Sequence, residues 1–277
     1  MLLSHRDILN ERQLECINSH LLGLVIKICF RSLSFALVRV IIALLYINLI
    51  LLMIDKSSLS TFIVAGATGL VGRYVLKQLT DMHSVSHIYA LSRRENDINS
   101  PKLDWIIHPS LVISEWQVLN PYPKYGAICL GTTRHDAGSK EGLEAVDVNL
   151  VVSVAKEMRV QGVTHLAVIS SYGANKRSLS HYLRCKGMME KKLEDLGFES
   201  LIILRPGPLV GQRAKSRLSE TVVQRIMRVG QIFMFGPLKN FIPVKAEDVA
   251  AKMIKELVTE DNAAIKIINS MDIWRNI

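Results

Sequence analysis

The stretch TFIVAGATGLVGRYVLKQLT, residues 61–80, carries the reading on which the fold turns. Its first five residues are aromatic, β-branched or small and apolar, the composition of a short strand buried on both faces. Gly66, Gly69 and Gly72 follow at three-residue spacing. Val71, Val75, Leu76 and Leu79 then recur at helical spacing. A strand, a glycine turn and a helix in that order make a phosphate cradle. Glycine permits the tight turn, the close backbone approach to a pyrophosphate and the packing of helix on strand, and the helix N-terminus faces the anion. The spacing therefore predicts dinucleotide binding at Gly66, Gly69 and Gly72.

Working outward, apolar runs of strand length recur between helical stretches. Strands are expected at Thr61–Ala65, His87–Leu91, Asp104–His108, Ala127–Leu130, His165–Ser170 and Leu201–Leu204. Helices are expected over Leu70–Thr80, Glu141–Gln161 and Tyr182–Leu196. A basic helix (Ser219–Val229), a short run at Phe241–Val244, a helix at Ala246–Val258 and a last strand at Ala264–Ile268 complete the chain. Alternation of this kind predicts an α/β fold, a doubly wound parallel Rossmann sheet. Residues 57–277 are read as that domain with a small C-terminal substrate region, and residues 1–56 as an apolar N-terminal extension outside it.

The chain has 277 residues, 49% of them hydrophobic, and a formal net charge of +9. Its mean hydropathy is +0.24. The apolar excess is concentrated at residues 33–54, LSFALVRVIIALLYINLILLMI, which is long enough to span a bilayer and apolar on all sides. Arg39 inside the run opposes insertion. Two readings follow: a transmembrane helix over 33–54, or an upstream start, with Met53 opening the folded domain. The first would tie a cytoplasmic catalytic domain to a membrane.

Two further motifs bear on chemistry. The second strand ends in Ser92-Arg93-Arg94, where an NAD site would place an acid on the ribose hydroxyl. Two guanidiniums suit a 2′-phosphate instead, so Arg93 and Arg94 point to NADP(H). After the fifth strand come Ser170 and Ser171, then Tyr182-Leu-Arg-Cys-Lys186, which puts Tyr182 and Lys186 on one helix face. Tyrosine ordinarily titrates near ~10, so proton transfer at neutral pH requires its anion to be stabilised, as a neighbouring ammonium would do. A serine hydroxyl can hold a substrate carbonyl as charge develops. Either Ser170 or Ser171 fits that role.

In this order GATGLVG, SRR, CLGTTR, DVN, SSYGA, YLRCK and RPGPLVGQR resemble the atypical short-chain dehydrogenases/reductases, and most nearly the Tat-interactive-protein-2-like oxidoreductases. The resemblance runs from Phe62 to Arg217 and does not extend over residues 1–56. It implies that Thr68, Gly69, Leu70 and Val71 contact the cofactor phosphates and that Arg93 and Arg94 contact the 2′-phosphate. Leu130 and Gly131 would lie along the cofactor, Leu209 and Arg217 would close over it, and Asp104 would approach the adenine. Tyr182 would be the proton acceptor and Lys186 its partner, both beside the cofactor.

The combined expectation is an NADP(H)-dependent oxidoreductase acting on a small carbonyl or alcohol. Its alternatives are a non-catalytic NADPH-sensing regulator and a nucleotide-sugar epimerase or dehydratase. Four scattered cysteines without CxxC, and histidines without HExxH, exclude a disulfide framework and predict no metal site. Residues 176–228 hold twelve Lys or Arg against five Asp or Glu. No nucleic-acid motif accompanies that charge, so nucleic acid is not expected as a partner. Cys185 lies off the Tyr182–Lys186 face with no base evident nearby, which argues against a catalytic thiol.

Overall fold

A computed structural model describes residues 40–42, 44–45, 59–94, 98–113, 121–211, 242–259 and 263–274. The chain divides into two compact units, Met1–Ser58 and Leu59–Ile277. In the first unit residues 40–42 and 44–45 are helical; the rest of the expected transmembrane segment lies outside the described residues. Among the described residues no helix is long and apolar enough to cross a membrane.

The second unit is built on a seven-stranded, wholly parallel sheet. Its strands are β1 (Ser60–Ala65), β2 (Val85–Ser92), β3 (Leu103–Ile107), β4 (Tyr125–Ile128), β5 (His165–Ile169), β6 (Ser200–Arg205) and, late in the chain, β9 (Ile265–Asn269). They lie in the order β3-β2-β1-β4-β5-β6-β9. The order reverses at β1, and the crevice beyond the carboxyl ends of β1 and β4 is where such sheets bind ligands. Two short strands, β7 (Leu209–Val210) and β8 (Val244–Lys245), pair separately.

The helices are α1 (Gly72–Asp81), α2 (Arg134–Ala137), α3 (Lys140–Glu144), α4 (Val151–Val160), α5 (His181–Glu194), α6 (Ala246–Val258) and α7 (Ser270–Trp274). Both faces of the sheet are covered, which explains the nearly continuous apolar strands. Along β1, Phe62 and Val64 face a core shared with Val75, Leu76 and Leu79 of α1 and Val249, Met253 and Leu257 of α6. Ile63 and Ala65 face the other side, against Leu143, Val148, Val151, Met158, Met189 and Leu193.

Two expectations need correction. Strand β4 runs Tyr125–Ile128 rather than Ala127–Leu130, because Tyr125 and Gly126 already pair with Phe62 and Ile63 of β1, and the Tyr125 ring stacks on Phe62 at 5.0 Å between centroids. The single helix expected over Glu141–Gln161 is three segments, since Ala145–Leu150 between α3 and α4 forms a π-helical turn. That wider turn interrupts the helical period and carries the buried Asp147. Of the run expected at Phe241–Val244 only Val244 lies in a strand, β8, while Phe241 and the basic helix Ser219–Val229 lie outside the described residues.

Candidate active site

Strand β1 ends on Gly66, whose φ of 76° is a conformation open to glycine. A side chain there would also strike the β4 end, 2.8 Å from the carbonyl carbon of Cys129. The Gly69 N–H donates to the Gly66 carbonyl at 2.9 Å and closes the turn. Gly72 opens α1 against the same backbone, where a Cβ would fall 2.8 Å from the Gly66 carbonyl carbon. The first turn of α1 carries no acidic residue and no side-chain cap. The Leu70 and Val71 N–H groups find no acceptor among the described residues. Thr68, Gly69, Leu70 and Val71 thus form a turn whose free donors and helix dipole suit a pyrophosphate.

Arg93 and Arg94 follow β2 at the same sheet edge, both exposed. Leu91 is level with Ala65 of β1, so the arginines start one residue beyond the plane of the glycine turn. The Ser92 hydroxyl donates to the Arg94 carbonyl at 2.7 Å and accepts from the Arg94 N–H at 3.2 Å, which fixes the turn that presents them. Leu209 lies on β7. The Gly211 backbone just beyond approaches Leu70 of the glycine turn so closely that a Cβ would sit 2.9 Å from Leu70 Cδ1. Arg217 lies outside the described residues.

Asp104 is the exception. It sits in the body of β3, three residues before the strand's carboxyl end, with its carboxylate 3.0 Å from His87 Nε2. The expected approach to an adenine at the sheet edge does not match that placement.

Tyr182 and Lys186 stand one turn apart on α5. Tyr182 is half-buried against the core on the α3–α5 side of the sheet, which Leu130 also packs against. Lys186 is 2% exposed, and its Nζ lies 2.5 Å from Asp147 Oδ1 and 3.3 Å from the Ile169 carbonyl at the end of β5. The other oxygen of Asp147 accepts the Thr132 N–H at 3.0 Å. Gly131 passes directly over the pair: a Cβ there would be 3.5 Å from both Lys186 Nζ and Asp147 Oδ1. One fully buried carboxylate therefore ties the CLGTTR loop to the lysine of α5.

The two serines separate by their partners. Ser170 is buried and donates its hydroxyl to the Glu190 carboxylate, which also accepts from Arg205 Nε at 2.9 Å and Nη2 at 2.5 Å. Donating to the Glu190 carboxylate outweighs burial and raises the Arg205 guanidinium further above its ordinary range. Ser171 is half-buried, and its hydroxyl makes a long 3.5 Å contact with the Tyr172 carbonyl. The loop that follows lies hard against α5 at Gly187, where a Cβ would fall 2.7 Å from Asn175 Cα. The Asn175 N–H donates to the Leu183 carbonyl at 3.1 Å and holds it there.

Sequence reasoning missed Asp147, Thr132 and Glu190. Glu190 had a legible signal, because it continues the face of Tyr182 and Lys186 by one more turn. Asp147 stands inside the apolar run Ala-Val-Asp-Val-Asn-Leu, where an acid without a partner would be costly. His181, one turn before Cys185, was also missed as the thiol's basic neighbour, with its Nδ1 3.6 Å from the sulfur.

A family model described as HIM1 matches residues 127–237. The chain is 39% identical over 165 residues to the protein named fmp52, mitochondrial, of Emericella nidulans, covering 57% of this chain and 71% of that protein. It is 31% identical to the FMP52 protein of Candida albicans, covering 77% of this chain and all of its relative, 100%. Among solved structures, MoeE5 in complex with UDP-glucose and NAD superposes with a TM-score of 0.56 at 14% identity, covering 77% of this chain and 79% of MoeE5. The reductase domain of PhqB from Penicillium fellutanum superposes with a TM-score of 0.54 at 19% identity, over 78% of this chain and 69% of that one. UDP-glucose 4-epimerase of Thermotoga maritima gives 0.53 at 15%, over 76% of each. At such identities the likeness is one of fold, and the fold is Rossmann-like. None of these names bears on the narrower likeness to the Tat-interactive-protein-2-like oxidoreductases.

Proposed function

The chain belongs to the family of mitochondrial proteins named FMP52, and on that premise we propose that its Rossmann unit is an NADP(H)-dependent oxidoreductase acting on a small carbonyl or alcohol. The observation that carries the proposal is Tyr182 one helical turn from a buried Lys186 that Asp147 and the Ile169 carbonyl hold in place. The glycine turn and its free N–H groups suit a pyrophosphate, and the two exposed guanidiniums of Arg93 and Arg94 favour a 2′-phosphate over a ribose hydroxyl. When bound, the nicotinamide cofactor supplies or takes up the hydride. Tyr182 gives a proton to the carbonyl oxygen on reduction and accepts one from the alcohol on oxidation. The Lys186 ammonium stabilises the phenolate through space.

Ser171 is the serine assigned to the substrate oxygen, because Ser170 is committed to Glu190. Leu130, Gly131 and Leu209 line the cofactor in this reading. The motif likeness to the Tat-interactive-protein-2-like oxidoreductases supports it. The relatives' names also favour mitochondria over the cytoplasm as the compartment.

The test is NADPH oxidation by the purified chain against a panel of aldehydes and ketones. Turnover that falls by about 10²–10⁴ in Tyr182→Phe, with NADPH binding retained, supports the assignment; unchanged turnover refutes it. NADPH binding without turnover on any carbonyl would favour the sensor. Interconversion of UDP-sugars without net NADPH consumption would favour the epimerase, the class to which the Thermotoga neighbour belongs by name.

A further inference from the structure

We propose that Glu144, His181 and Cys185 form a zinc site at the junction of α3 and the first turn of α5, beside the Tyr182–Lys186 face and separate from it. One donor atom from each of the three lies within 4.8 Å of the others. His181 and Cys185 are four residues apart on α5, so their side chains stack on one face. Glu144 comes from a different element, the last residue of α3. The ligands therefore converge from two directions, as a bound ion requires.

The spacing of the cysteine–histidine pair suits zinc. Tetrahedral zinc with Zn–S of about 2.3 Å and Zn–N of about 2.0–2.1 Å separates the two ligand atoms by about 3.6 Å. Cys185 Sγ lies 3.6 Å from His181 Nδ1. Thiolate with imidazole is the donor pairing that selects zinc over hard cations, and a carboxylate completes three protein ligands with a fourth position for water. Asp147 is already paired with Lys186, which leaves Glu144 as the carboxylate for the ion.

Bound zinc would link α3 to α5 immediately before the π-helical turn that carries Asp147. The sequence predicted no metal site because the three ligands share no recognised spacing. Two come from a helix and the third from 37 residues earlier in the chain.

The experiment uses the full chain, stripped with a chelator and titrated with Co²⁺ as a spectroscopic stand-in for Zn²⁺. One equivalent should bind and give a thiolate-to-cobalt charge-transfer band in the near ultraviolet, and one equivalent of zinc should abolish that band. Zinc should raise Tm in the same preparation. Cys185→Ala and His181→Ala should each lose the band. Should Cys185→Ala fail to fold, Glu144→Gln supplies the same test through a loss of cobalt affinity of at least about ten-fold, one such step being 1.4 kcal/mol. Tyr182→Phe should leave the cobalt spectrum unchanged, which separates this site from the oxidoreductase assignment. Absence of a thiolate band in the wild-type chain, or a band that survives both Cys185→Ala and His181→Ala, would overturn the proposal.

Discussion

Asp147→Asn keeps the shape of a fully buried side chain and removes the carboxylate that lies 2.5 Å from the Lys186 ammonium. The two side chains are 0% and 3% exposed, so solvent cannot replace the lost partner. At that separation and an effective dielectric near 20, the direct attraction is about 7 kcal/mol. Desolvation offsets much of it, and removing one member of a buried pair typically costs ~3–5 kcal/mol. For a unit of this size that corresponds to a fall in Tm of about 10 °C. The assay is thermal or urea unfolding of wild type, Asp147→Asn, Lys186→Met and the double variant. Each single change leaves a buried charge without its counter-charge, whereas the double change leaves no charge, so it should cost clearly less than the sum of the two. A coupling of about 2 kcal/mol or more is expected. Additivity within ~0.5 kcal/mol would refute the argument that the two groups interact across a dry interface. Turnover should fall in Asp147→Asn beyond any loss of folded protein, because Lys186 would lose one of its two anchors.

Other expectations follow from the same geometry. Arg93→Ala with Arg94→Ala should weaken NADPH far more than NADH, measured by fluorescence titration; equal losses would remove the 2′-phosphate assignment. Gly72→Ala places a Cβ against the backbone of Gly66 and Ala67 and should cost ~1–3 kcal/mol in urea unfolding together with cofactor affinity, whereas full retention of both would contradict the close approach. Ser171→Ala should lower kcat with little change in Tm, and Ser170→Ala should do the reverse; the opposite pattern would exchange their roles. Burial pushes the Cys129 thiol up to about 12 from 9.0, so its thiolate is scarce at pH 8 and alkylation at Cys129, followed by peptide mapping of the folded protein, should be slow there and rise with pH above 9. Burial raises Glu256, but hydrogen bonds and charge from Lys252 and Lys266 outweigh it and hold the carboxyl below its usual range. That stability is present above the unfolded carboxylate pKa and lost as pH falls through the folded one. Glu256→Gln should therefore flatten the acid limb of the stability profile.

Much of the sheet could be read from short windows of the chain. Thr61–Gly72 announces strand, turn and helix, because glycine geometry and apolar period are local properties. The same holds for Tyr182 and Lys186, which share a helix face whatever surrounds them. Arg93 and Arg94 were legible for a similar reason, following directly on a recognisable strand. Where windows failed, distant residues were deciding. The π-helical turn at Ala145–Leu150 follows no local period; it accompanies an aspartate that meets Lys186 and the Thr132 N–H from other elements.

Ser170 and Ser171 are equivalent as neighbours in sequence and become distinct once Glu190 and Arg205 are folded beneath one of them. Asp104 carries no sign in sequence of its neighbour across the sheet, His87 of the adjacent strand, 3.0 Å from its carboxylate. Backbone conformation and face periodicity are set by residues within a few positions, so the strand–turn–helix units and the tyrosine–lysine pair follow from order alone. Which charges are buried, which hydroxyls are occupied and which donors converge depend on contacts across the sheet. Only tertiary packing supplies those, because burial is what makes an unpaired polar group too costly to leave alone.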